Sequence, residues 1–173
     1  YIDLDSFATY FVLNEFSMNE DAGYHSTYCY REIGGELVCG PIWDLNAAFN
    51  NYVFGEQSSY GFYIVDNGWF KQMCTDPDFV SAVVAKYREL RAGVLSQEST
   101  ISALESYRAE LGSAIERNDA VWAHYGNNTG LFGDSRKYAN YVEAFEQLED
   151  CIIKRGDWLD EHIEDLYLYC EYR

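Results

Sequence analysis

Leu4, Phe7, Tyr10 and Phe11 recur at spacings of three and four, and Asn14 continues the same stripe. That spacing predicts an opening helix with an aromatic face. The pattern then changes. Residues 26–32 and 37–42 are rich in Tyr, Thr, Val and Ile, with Gly34-Gly35 between them, which predicts a hairpin. With the two glycines as its turn, Ile33 faces Glu36, Ser26 faces Trp43 and Asp44 lies opposite His25. Cys29 and Cys39 are not opposite each other in that register. From about Ala47 to Asp66 the chain is Asn-, Gly-, Ser- and Tyr-rich without a clear period, and reads as a long loop.

Helical spacing returns after that loop. Asp76 is placed to cap and Pro77 suits a first helical position, so a helix runs through Val83, Val84, Tyr87 and Leu90 to about Arg91. Ser96 caps the next stretch, where Ile101, Leu104, Tyr107, Leu111 and Ile115 mark one long amphipathic helix. A loop at Gly126–Gly130 leads to a last helical stretch from about Ser135. Tyr141, Phe145, Leu148, Ile152, Leu159, Ile163 and Leu166 face inward there, on one helix or on two divided near Gly156. The expected architecture is α+β, mainly helical: one domain over residues 1–173, with a small hairpin or sheet against a helical bundle.

Composition narrows the function classes. The chain has 173 residues, 48% of them hydrophobic and 17% aromatic, which supports a packed core. Twelve basic residues against 29 acidic ones give a net charge of −17, a surface that repels nucleic acid and anionic lipid. No apolar run is long enough to span a membrane, and no signal peptide is evident. The chain starts at Tyr1 rather than Met, which fits a processed product or an excised piece. The five cysteines, Cys29, Cys39, Cys74, Cys151 and Cys170, lack the spacing of a zinc site. Their odd number leaves at least one outside any internal disulfide, and burial as small hydrophobes weighs equally with disulfide formation.

Two acids carry the candidate chemistry. The hairpin brings Asp21 and Asp44 to its open end, the arrangement that metal-assisted chemistry needs: one acid for Mg²⁺ and another to position or deprotonate a nucleophile. Each has a plainer reading as a cap or turn former. Asn14 either orients Asp21 or is exposed, and Glu15 precedes the same loop. His25 either contacts phosphate or is merely solvated, and Trp43 reads as a core anchor beneath the site. Exposed Tyr52, Phe54, Tyr60, Phe62 and Tyr63 on the long loop would instead suit an adhesin-like or polysaccharide-associated binding module, with Asp21 and Asp44 vestigial or holding Ca²⁺. Glycoside hydrolysis by the acid pair is weaker, because nothing near it suggests a raised pKa.

The segments Asp3-Leu4-Asp5-Ser6-Phe7, Asn19-Glu20-Asp21, Tyr28-Cys29-Tyr30 and Gly40-Pro41-Ile42-Trp43-Asp44-Leu45-Asn46 resemble the CotH (spore-coat protein H) kinase family. Trp69–Met73, Asp76–Phe79, Tyr87–Arg91 and Arg155-Gly156-Asp157-Trp158-Leu159 resemble its helical half. The resemblance covers nearly the whole chain, and Gly40–Asp44 is its sharpest motif. It implies an atypical protein-kinase C-lobe-like fold that transfers phosphate from ATP, with Mg²⁺ or Mn²⁺, to a protein substrate. The implied setting is extracellular or at the bacterial cell surface, the spore coat included, with a surface or matrix partner. Asp21 would be the catalytic-loop acid and Asp44 the metal ligand. Ser26 stands five residues after Asp21, where kinases place a metal-binding Asn, and Asn46 stands where the family often has a second Asp. Lys71, Lys86, Lys137 and Lys154 all fall in helical contexts after Asp44. The chain is therefore expected to be the C-lobe-like half of a larger domain, and weak on its own.

Overall fold

The structure, a computed structural model, describes residues 1–52, 55–122 and 138–170. Phe54, His124, the Gly126–Gly130 loop, Ser135 and Lys137 lie outside the described residues. The elements follow in order: α1 (Leu4–Phe16), β1 (Cys29–Arg31), β2 (Leu37–Cys39), α2 (Phe70–Met73), α3 (Pro77–Arg91), α4 (Gln97–Leu111), α5 (Ala114–Trp122) and α6 (Tyr141–His162). A single 3-10 turn, Leu45–Ala47, follows Asp44, and an eight-residue 3-10 segment, Ile163–Cys170, ends the described chain. The fold is α+β and mainly helical, as expected. No helix among the described residues is long and apolar enough to cross a membrane.

Capping fixes the helix starts. Asp3 accepts from the Ser6 N–H, Asp76 from Asp78, Ser96 from Ser99, and Asn140 from Val142 and Glu143. Helix α1 is the centre of the core: Phe7, Phe11, Val12 and Phe16 are buried, and Phe11 meets the Phe70 and Phe79 rings edge-on at 5.3 and 5.9 Å. Helix α3 lies against it through Val80, Val83, Val84 and Tyr87. The Tyr87 hydroxyl donates to Asp160 at 2.7 Å and Arg91 pairs with the same carboxylate, so α6 is tied to α3.

Two expectations change here, and the choice between one last helix and two is decided for one. The long amphipathic helix breaks at Gly112, whose φ of +43° no other residue adopts cheaply, giving α4 and α5. Helix α6 instead runs unbroken through Gly156, where the missing side chain makes room: a Cβ there would lie 2.7 Å from the Arg91 guanidinium. The hairpin register is shifted by one, with Cys29 opposite Cys39 and Arg31 opposite Leu37. The turn closes from the Glu32 carbonyl to the Gly35 N–H with Gly34 at φ +77°, so Glu36 falls outside the ladder.

Candidate functional site

The segment after α1 owes its path to the end of that helix. Met18 adopts a left-handed conformation at φ 56°, its N–H bonding to the Glu15 carbonyl and the Asn19 N–H to that of Asn14. This is a Schellman ending built on a buried methionine in place of glycine. Asn14 lies fully buried, neither exposed nor at Asp21. Its amide donates to the Tyr10 carbonyl at 2.8 Å and its side-chain oxygen accepts from Asn19 at 2.8 Å. It holds the first residue of the loop that carries Asp21.

That loop is held from both sides. The Asp21 carbonyl accepts from Tyr24 and His25, and the Thr27 hydroxyl accepts from the Gly23 N–H at 2.8 Å and the Tyr10 hydroxyl at 3.2 Å. From across the molecule, the Asn67 amide donates to the Glu20 and Ala22 carbonyls at 2.8 and 3.0 Å, bracketing Asp21. Gly68 sits so close that a Cβ on it would lie 2.1 Å from the Gly23 carbonyl oxygen. Asn67 and Gly68 were legible in the sequence as a turn dipeptide, but nothing local linked them to Asp21. Asp21 itself is half-buried. Tyr52 stands beside it: burial pushes its phenol pKa up, and the charges of Glu20 and Asp21 and a hydrogen bond to Glu20 push the same way.

Ser26 and Asp44 meet. The Ser26 hydroxyl donates to the Asp44 carboxylate at 3.0 Å. Both residues are left-handed, at φ 49° and 63°, and neither is glycine. Such backbone costs on the order of 1–3 kcal/mol per residue and concentrates at working sites. Ser26 therefore meets Asp44 rather than facing Trp43, in a contact that lies beyond the end of the ladder. Asp44, Leu45, Asn46, Ile42 and Trp43 line an open depression of about 460 Å³. Asn46 is exposed there and its carbonyl accepts from Asn51 at 2.6 Å, while His25, one residue before Ser26, is exposed.

Trp43 is not a core anchor. It is 58% exposed, edge-on to Tyr28 at 6.2 Å, because Ile42 takes the inward position before it. Glu15 is not at the site either. It is 1% exposed, accepts from the Tyr63 and Ile64 N–H groups at 2.7 and 3.0 Å, and pairs with Arg155 at 2.5 Å. Burial raises the Glu15 pKa and lowers that of Arg155, each against their mutual attraction. The pair welds the long loop to α1 and α6, so that loop is anchored. Its aromatics turn largely inward: Phe62 packs edge-on to Trp158 at 5.1 Å and the Tyr63 ring lies under Arg155, while Tyr60 is exposed.

The oxygens at Ser26 and Asp44 are hard donors, few in number and open to solvent. Mg²⁺ uses such sets, taking one or two carboxylates and completing its shell with water and phosphate. Among the described residues no cluster of three or more His, Cys, Asp or Glu encloses a metal, so the fit is to an open, substrate-completed site rather than a closed cage.

The family model described as CotH kinase protein matches residues 1–159. No curated protein and no solved structure matches the chain. The match takes in α1, the Asp21 loop, the hairpin with Ser26 and Asp44, and α6 through Leu159: the chain belongs to the CotH kinase family.

Proposed function

We propose that the chain is the C-lobe-like part of a protein-kinase-like enzyme that transfers phosphate from ATP to a serine or threonine of a protein substrate. The observation that supports this is the Ser26–Asp44 contact of 3.0 Å between two left-handed residues, with Ser26 on the same loop as Asp21 and Asp44 beyond the end of β2. A bound Mg²⁺ or Mn²⁺ would neutralise the phosphates and align them. Asp44 would hold that ion through its carboxylate and Ser26 through its hydroxyl oxygen. Asp21, fixed by the hydrogen bonds around it, orients the acceptor hydroxyl or takes its proton. His25 and Asn46 contact the nucleotide from the edges.

Phosphoryl transfer also needs a cation on the inner phosphates. Lys86 is engaged by Asp5 and Glu89, and Lys154 by Asp150, while Lys71 is exposed on α2 and does not line the Asp44 depression. We infer that the phosphate-gripping group comes from a segment outside these residues, which makes the isolated chain a weak ATP binder. The acidic surface suits an exported, cell-surface or spore-coat setting.

The test is intact mass after incubation with Mg-ATP, for the chain alone and extended upstream of Tyr1, with Asp44→Ala versions beside them. A phosphoryl increment in the extended protein, lost in the variant, is expected. An adenylyl increment would keep the site and change the reaction. Ca²⁺ binding with no nucleotide binding and no modification would replace this reading with a non-catalytic binding module.

A further inference from the structure

The corrected hairpin register has a chemical consequence that does not depend on the kinase reading. Cys29 and Cys39 are direct partners across β1 and β2. The next pair along is hydrogen-bonded, since the Gly40 N–H donates to the Tyr28 carbonyl at 2.8 Å. Hydrogen-bonded and non-hydrogen-bonded pairs alternate in an antiparallel ladder, which makes Cys29–Cys39 a non-hydrogen-bonded pair. The Cys39 N–H agrees, because it points away from β1 to the Ser6 hydroxyl at 3.1 Å. At such positions opposing Cα atoms stand about 4.5 Å apart, within the range that a disulfide spans. Cys39 is buried while Cys29 is half-exposed, so one sulfur of the pair is accessible to an incoming reagent.

We propose that Cys29 and Cys39 are a disulfide-forming pair that bridges the two arms of the hairpin carrying Ser26 and Asp44. The oxidant is a disulfide, either a small molecule such as glutathione disulfide or an oxidised protein dithiol. The Cys29 thiolate attacks one of its sulfurs and expels the other as a thiolate, leaving a mixed disulfide on Cys29. The Cys39 thiolate then attacks the Cys29 sulfur and expels the second thiolate. Two cysteine thiols are oxidised to one disulfide, the oxidant is reduced to two thiols, and the two cysteine protons pass to the departing thiolates. The bridge pins together strands that lead directly to Ser26 on one side and Asp44 on the other. The other cysteines are placed elsewhere: Cys151 lies beside Ser59, and Cys170 meets the Cys74 carbonyl at 3.5 Å.

The sequence makes the test clean, because trypsin cuts after Arg31 and next after Lys71. Fragment 1–31 then carries Cys29 alone, and fragment 32–71 carries Cys39 alone. The folded chain is equilibrated with glutathione disulfide, blocked with N-ethylmaleimide, digested without reductant and mapped by mass. The expected result is one species joining the two fragments, separated by reduction, with Cys29 and Cys39 both lost from the blocked pool. In a Cys39→Ala variant, Cys29 should retain one glutathione that the wild type sheds. Separate fragments with both cysteines blocked, or either cysteine joined to Cys74, Cys151 or Cys170, would overturn the proposal. If Cys39→Ala does not fold, the wild-type map alone decides.

Discussion

Glu15 and Asp44 are both carboxylates held by a single side-chain partner, and they stand at opposite extremes of solvation. Glu15 is sealed in the core, with Arg155 and two backbone N–H groups spent on it. Asp44 is open to solvent, with the Ser26 hydroxyl donating to its side chain. A buried charge must be fully compensated before it is tolerated, so Glu15 has no capacity left for a ligand. Asp44 keeps most of its oxygen lone pairs for something that arrives from water. Burial assigns one acid to architecture and exposure leaves the other for chemistry, although the sequence reading grouped both with the site.

The largest expected effect breaks the architectural side. Arg155→Met leaves the Glu15 carboxylate buried without its counter-charge and should cost about 3–5 kcal/mol, read as a lower urea midpoint. Glu15→Gln combined with Arg155→Met should cost less than the two single changes added together, and strict additivity would sink the claim that they act as a pair.

Asn67→Ala comes next. It removes both donors to the Glu20 and Ala22 carbonyls and should cost about 1–3 kcal/mol. If these bonds position Asp21, phosphoryl transfer falls further than stability does, whereas a purely structural role would lower only the folded fraction.

A smaller effect is one of pH. Because the folded Glu15 pKa is raised, the native state keeps a proton that the unfolded chain releases near pH 4.3, the ordinary glutamate range. Stability from this group is therefore full below the unfolded value and is lost as pH rises through the folded one. Glu15→Gln should flatten that part of the urea-midpoint profile from pH 4 upward; an unchanged slope would show that Glu15 titrates normally.

The smallest effect on the fold sharpens the other side. Asp44→Asn keeps a residue that tolerates the left-handed backbone, and stability should stay within about 0.5 kcal/mol of the parent. Mn²⁺ binding in the presence of ATP, followed by paramagnetic relaxation, should nonetheless be lost.

What the sequence made legible were the parts with local causes. Helices α1 and α3 follow from periodicity and from Asp76-Pro77, and Asp76 and Ser96 cap as expected. The break at Gly112 had a signal, a glycine inside a helical pattern, which the continuing apolar spacing to Ile115 outweighed. The hairpin was legible but its register was not, because Gly34-Gly35 fits more than one turn and no residue on so short a ladder penalises the slip. The meeting of Ser26 with Asp44 was not in the expected register, which set Ser26 opposite Trp43 and Asp44 opposite His25; it depends on how the segments before β1 and after β2 run beyond the ladder. The Glu15–Arg155 pair was out of reach: its members are 140 positions apart, and each looks like an ordinary helical surface residue.

That separation also sets an order of events during synthesis. Helix α1 and the Asp21 loop leave the ribosome before the guanidinium that neutralises Glu15, which is added 140 residues later. At about 5–20 residues per second the interval is roughly 7–28 s. For that time Glu15 has no interior to occupy and stays hydrated, so α1 cannot settle into its final core. The segment bearing the candidate chemistry is thus made well before it is secured, and a nascent chain halted short of Arg155 should expose α1 to protease.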